Sequence, residues 1–122
     1  MFYVYLIRTT KGFIKIGQTT ETPEKRLKGI LDYAKKHPTA YNGGEHRILA
    51  SIACNGDDII ARNIESATQD RMRSIHAETL QRWGKSHDYQ KILQDVDDIT
   101  LIEWFTEAVK VAEFLRMFLL QG

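Results

Sequence analysis

Two apolar runs at the start of the chain, residues 2–8 (FYVYLIR) and 13–17 (FIKIG), stand either side of Thr-Thr-Lys-Gly at 9–12. Aromatic and β-branched residues suit strands, and the intervening stretch ends in glycine, so the pair predicts a β-hairpin. Strand side chains alternate between faces. Tyr3, Tyr5 and Ile7 therefore share one face of the first strand while Val4, Leu6 and Arg8 share the other; on the second, Phe13, Lys15 and Gly17 alternate with Ile14 and Ile16. Ile14 and Ile16 fit a core face, which puts Lys15 on the opposite one. Close pairing of the hairpin would bring Tyr5 and Lys15 near one another, and a lysine beside a phenol favours ionisation of that phenol. A half-buried Tyr5 beside a solvated Lys15 satisfies the same pattern. The pairing alone leaves both readings open.

Beyond the hairpin, Thr22-Pro23-Glu24 supplies a cap residue with proline at the first helical position, and a helix over 23–36 is expected to end before His37-Pro38. Asn42-Gly43-Gly44 reads as loop, residues 47–54 (RILASIAC) as a third strand, and Asn55-Gly56-Asp57 as a turn into a long helix over 57–82 anchored by Ile60, Ile64, Ala67 and Met72. Residues 84–98 are polar and without a clear period. The final "ITLIEWFTEAVKVAEFLRMFLL" reads as a short extended entry followed by an apolar helix. This order predicts an α+β fold: a small, mainly antiparallel three-stranded sheet flanked by helices, with an extra C-terminal helix.

A chain of 122 residues with 43% hydrophobic content fills one modest core, so a single domain over 1–122 is expected. The lone Cys54 rules out an intramolecular disulfide and reads as a buried small hydrophobe in a reducing compartment. No signal-peptide pattern and no run of about 18 apolar residues is present, so a soluble cytoplasmic protein without a membrane partner is the expectation. The formal net charge of +1 hides an asymmetry: residues 1–47 hold nine Lys and Arg against four Asp and Glu, a net of +5, and the remainder carries −4. A basic half suits a polyanionic partner, and an asymmetry of this size also arises by chance in small domains.

The stretch "YVYLIRTTKGFIKIGQTTETPEKRL" resembles the GIY-YIG nuclease superfamily, in which Gly-Ile-Tyr on the first strand and Tyr-Ile-Gly on the second precede an arginine on the first helix. Tyr3-Val4-Tyr5 stands at the first motif, Lys15-Ile16-Gly17 at the second, and Arg26 at the helical arginine. The Lys-Ile-Gly form is similar to a divergent branch found in phage and bacterial proteins. Glu65 in "NIESAT" and Glu103-Trp104-Phe105 fit that branch's later landmarks, a glutamate helix and a Trp-Phe pair. The likeness is specific over residues 3–27 and weak beyond Leu31.

The resemblance implies a nuclease that cleaves a phosphodiester bond with one divalent ion, Mg²⁺ or Mn²⁺, acting on DNA in preference to RNA. Tyr5 would be the base or would orient it, and Lys15, in place of the second motif's tyrosine, would stabilise the phenolate. Arg26 would contact the scissile phosphate through its planar fork of donors. Glu65 would hold the metal, because hard cations take carboxylate oxygen. Lys11, Lys25 and Lys28 would carry nucleic-acid binding around the hairpin and first helix. Tyr5, Lys15, Arg26 and Glu65 are expected to converge on one cleft, and Glu65 on the far side of the sheet from Tyr5 would argue against the nuclease.

The chain departs from the superfamily pattern at Tyr3 and Lys15, which replace the first motif's glycine and the second motif's tyrosine as in the similar branch, and at Ile30 and Gln69, which stand where relatives often carry histidine. Tyr33 and His37 lie seven and eleven residues past Arg26, on roughly the same helical face, and could approach the site as auxiliary groups. Each also reads as a packed tyrosine and a helix-end histidine favoured by the dipole. His76, three turns beyond Glu65, could substitute if its helix runs alongside. A fold of this kind that has lost cleavage and only binds nucleic acid, or serves as a protein-interaction module, is the competing reading.

The other histidines lack zinc-site spacing. Asp95, Asp97 and Asp98 read as a solvated acidic turn. Along the last helix, Phe105, Val109, Ala112, Leu115 and Leu119 form a core stripe that Phe114, Met117 and Phe118 broaden, leaving apolar area for a homodimer partner.

Overall fold

The computed structural model describes residues 2–39, 42–54, 58–75, 77–79, 90–92 and 96–121. The hairpin forms around Gly12, whose φ of +87° is open to glycine and strained for other residues. Its N–H donates to the Thr9 carbonyl at 3.0 Å, and the Thr9 hydroxyl accepts from the Phe13 N–H at 3.1 Å. The turn thus closes β1 (Phe2–Thr9) against β2 (Phe13–Thr19), with Tyr5 opposite Gly17 and Ile7 opposite Lys15.

Helix α1 spans Pro23–Lys36; Thr22 caps it by accepting from the Lys25 N–H at 3.3 Å, and Pro23 occupies the first turn. β3 (His46–Cys54) pairs antiparallel with β1 on the side away from β2, with a register shift between Leu6 and Ile7. α2 (Asp58–Ile75) follows, then β4 (Ala77–Thr79), β5 (Gln90–Ile92) and α3 (Asp98–Gln121). The architecture is α+β. The three long antiparallel strands are the expected ones, and two three-residue strands extend the sheet in the order β3-β1-β2-β5-β4.

Strand alternation sorts two cores. Val4, Leu6, Ile14 and Ile16 face α2 and α3, packing with Ile60, Ile64, Leu101 and Phe105, and Cys54 is buried there as a thiol outside any disulfide. Tyr5 and Ile7 face α1 and pack with Ile30, Leu27 and Ile48. Arg8 and Arg47 are neighbours across β1 and β3, a repulsive placement that Asp98 relieves at 2.8 and 2.6 Å while tying the start of α3 to the sheet.

Two boundaries differ from the sequence reading. The long helix ends at Ile75 instead of continuing to 82, because residues 77–79 find backbone partners in β5, and tertiary pairing overrides a weak local preference. The extended entry before α3 is absent: Asp97 accepts from the Thr100 N–H at 2.8 Å, and that cap starts the helix through the β-branched Ile99 and Thr100. Expectations for His76, His87 and Asp95 fall outside the described residues.

Candidate active site at the β2 edge

β5 pairs with β2 at Phe13 and Ile14, so among the described residues the Gly17–Thr19 end of β2 forms an edge of the sheet. Tyr5 points its ring at that edge. The ring is buried, with 2% of the residue exposed, and it lies over Gly17: a Cβ there would overlap the phenol oxygen and stand 2.6 Å from Cζ. The glycine of the second motif is therefore the space that the tyrosine of the first occupies.

Arg26 sits one turn into α1, where its N–H donates to the Thr22 carbonyl at 3.0 Å. The capped start of the helix thereby sets the arginine over the α1 face of the sheet, and its guanidinium donates to the Tyr5 oxygen. Glu65 stands on α2, which packs on the opposite face of the sheet, and its negative charge acts on the phenol through space. Burial dominates and raises the Tyr5 pKa above its ordinary value; the Arg26 hydrogen bond and charge oppose that, and Glu65 adds to it. Tyr5 is thus a neutral hydroxyl near pH 7. This corrects the expectation of a lysine-favoured phenolate.

Lys15 also departs from both of its readings. It is only 2% exposed, so it is not a solvated lysine, and it stands opposite Ile7, with its charge felt at His46. His46 is itself mostly buried; burial lowers its pKa, a 3.0 Å bond between Nδ1 and the Gly44 carbonyl opposes this, and Lys15 adds to the lowering.

A cleft of about 440 Å³ opens beside the edge, lined by Phe2, Gln18, Thr19, Thr20, Glu21, Arg26 and Arg62. Arg26 enters from α1 and Arg62 from α2, one turn before Glu65, so the cleft joins the two helices around β2. Gln18 Oε1 and Arg26 Nε are buried with no hydrogen-bond partner among the described residues. The sequence reading did not include Gln18 or Arg62. Helical spacing from Glu65 marks Arg62, whereas Gln18 carries no signal beyond following Gly17.

Of the remaining expected residues, Lys25 and Lys28 are exposed on α1, and Lys11 is exposed on the hairpin turn, its Nζ close to Gly43. Tyr33 and His37 lie against each other at the far end of α1, ring centroids 4.7 Å apart and planes tilted by 37°, with Tyr33 about 10 Å along the helix from Arg26. Ile30, at the position of the missing histidine, is buried in the core with Tyr5.

Among the described residues, no three His, Cys, Asp or Glu side chains gather as a cation cage. Glu65 offers one carboxylate. Mg²⁺ commonly takes one or two carboxylates and completes its shell with water and phosphate oxygens, a role that this donor fits. Among the described residues, no helix is long and apolar enough to cross a membrane. The chain matches no family model, curated protein or solved structure in the comparisons made.

Proposed function

We propose that the chain is a divalent-metal-dependent endonuclease of GIY-YIG type that cleaves a phosphodiester bond, in DNA before RNA. The observation that carries this reading is the setting of the Tyr5 phenol, which lies over Gly17, accepts from Arg26 and feels the charge of Glu65. Arg26 neutralises and orients the phosphate, and its donation to Tyr5 holds the phenol in place. Tyr5, as a neutral hydroxyl, accepts from Arg26 and can donate to the attacking water or a phosphate oxygen, which makes it the orienting residue. Glu65 would hold Mg²⁺ or Mn²⁺, which when bound supplies Lewis-acid stabilisation of the developing charge. Lys11, Lys25 and Lys28 add sequence-independent attraction for the backbone, and the single Cys54, in no disulfide, suits a reducing cytoplasm. A second copy against α3 is the protein partner proposed for the exposed Val111, Phe114 and Leu115.

One observation favours the non-cleaving alternative: Ile30 places an apolar side chain against Tyr5 where a proton-carrying histidine would help. Incubating purified protein with supercoiled plasmid and with labelled single- and double-stranded DNA and RNA, in Mg²⁺, Mn²⁺ or chelator, separates the two. Metal-dependent cleavage supports the nuclease. Chelator-insensitive binding without product in any condition supports the binder.

A further inference from the structure

The two ends of the sheet are unequal. β3 and β4 are its outermost strands, and β3 is nine residues long where β4 has three. Alternate N–H and C=O groups of β3 bond to β1; the others point outward, where no described residue meets them with a backbone hydrogen bond. Open edges of this kind are usually blunted by lysine, proline or a bulge. β3 has one bulge: its pairing steps from Ala50 to Ile48 as β1 goes from Leu6 to Ile7, which leaves Leu49 as the extra residue. Beyond it, residues 50–54 (ASIAC) are regular and carry no charge, proline or glycine. They alternate as a half-covered strand does: Ser51 and Ala53 are exposed, Ala50 and Ile52 are partly buried against the main core, and Cys54 is buried.

A backbone edge is specific about its occupant, because another extended strand satisfies a row of alternating donors and acceptors and side chains do not. Which strand follows from what a second copy can offer. Among the described residues its other open edges, β4 and the end of β2 past Ile14, are shorter than β3, so the edge that matches β3 in length is β3 itself. We infer that β3 is a self-association edge: two copies pair antiparallel through residues 50–54 about a two-fold axis at Ile52, joining their sheets into one. In that register Ala50 lies opposite Cys54 of the second copy, Ser51 opposite Ala53, and Ile52 opposite Ile52. The two Arg47 side chains are carried apart, past the ends of the paired stretch, so no like charges face each other. Ile52 meets its own copy on the face that α2 and α3 cover, which extends the main core across the join. The contact is isologous and closes on itself as a dimer. So short a paired stretch makes a small interface, and the dimer is therefore weak and concentration-dependent. It is separate from the Val111, Phe114 and Leu115 patch on α3 and does not rest on the nuclease reading: Gly17 lies on β2, across β1 from β3, and stays open in the pair.

The test is sedimentation equilibrium of the full chain from micromolar to near-millimolar concentration, with hydrogen exchange of the β3 amides followed by NMR over the same range. Wild-type protein should form a dimer, and the outward amides of residues 50–54 should exchange more slowly as it forms. Ser51→Lys combined with Ala53→Lys sets like charges opposite each other on both sides of the axis and should weaken the dimer about tenfold. Ser51→Lys combined with Ala53→Glu sets opposite charges there and should keep it. Both positions are exposed, so each double variant should melt near wild type. Phe114→Ser should leave association through β3 unchanged. Protein that is monomeric throughout the range would overturn the inference. So would a dimer indifferent to the paired lysine substitutions, or one lost in Phe114→Ser with β3 exchange independent of concentration, which would assign association to α3. Should the Ser51→Lys, Ala53→Lys variant fail to fold, the slowing of wild-type β3 exchange with concentration decides: its presence supports the edge and its absence overturns it.

Discussion

Gly17 stands directly across β1 and β2 from Tyr5, and the phenol fills the volume that any side chain at Gly17 would need. The two motifs are thus one steric unit. Gly17→Ala forces the ring out of its buried position, so it should destabilise the fold by about 1–3 kcal/mol, the usual cost of overpacking. It should also lower cleavage by separating Tyr5 from Arg26. Denaturant titration and plasmid cleavage check the two effects; a stable, fully active Gly17→Ala would contradict the packing described.

Tyr5→Phe keeps the ring and removes the oxygen that Arg26 and Glu65 act upon. Cleavage should fall by about 10²- to 10⁴-fold, the range for loss of an acid–base or orienting group. The melting temperature should change little, because packing against Ile7 and Ile30 is retained. A rate unchanged by the substitution would return Tyr5 to a packing role.

The hairpin, α1 and the core face of Ile14 and Ile16 were legible because each rests on short-range chemistry: Gly12 in a turn, Thr22-Pro23 at a helix start, and alternation along the strands. The roles of Tyr5, Arg26 and Glu65 came from the resemblance to GIY-YIG nucleases, whose motifs lie on three different elements. Lys15 was misread because burial depends on what covers the α1 face, which alternation does not reveal. The strands at Ala77–Thr79 and Gln90–Ile92 form through pairing at long range, and the partnerless buried atoms of Gln18 and Arg26 depend on side-chain packing. Neither is written in any local pattern.

Acid should weaken the fold in two stages. His46 has a pKa held below 6.5, so above that value it is neutral in both states, and as pH falls below 6.5 the unfolded chain takes up the proton more readily and stability declines. Asp98 has a pKa held below 3.8, chiefly by hydrogen bonds from Arg47 and Arg8; its stabilising effect is present above 3.8 and is lost as pH falls through its folded value. His46→Gln should flatten the first stage. Asp98→Asn should lower stability at neutral pH and flatten the second. Urea midpoints across the acid range measure both, and unchanged profiles would contradict these assignments.

Affinity for nucleic acid should depend on salt through exposed lysines on α1. Replacing Lys25 and Lys28 by glutamine should reduce the slope of log affinity against log salt by about one for each lost phosphate contact. An unchanged slope would put the backbone contacts on another surface.

The most direct test of the central claim, that Tyr5, Arg26 and Glu65 form a metal-dependent cleavage site, is a paired measurement on Glu65→Ala. DNA binding in chelator and plasmid cleavage in Mg²⁺ or Mn²⁺ are measured on the same preparation. Removing a carboxylate from a surface that meets phosphates should leave binding intact or stronger, while loss of the carboxylate proposed to hold the ion should abolish cleavage. Cleavage by Glu65→Ala at the wild-type rate, or wild-type protein that binds DNA and never cuts it, would contradict the claim.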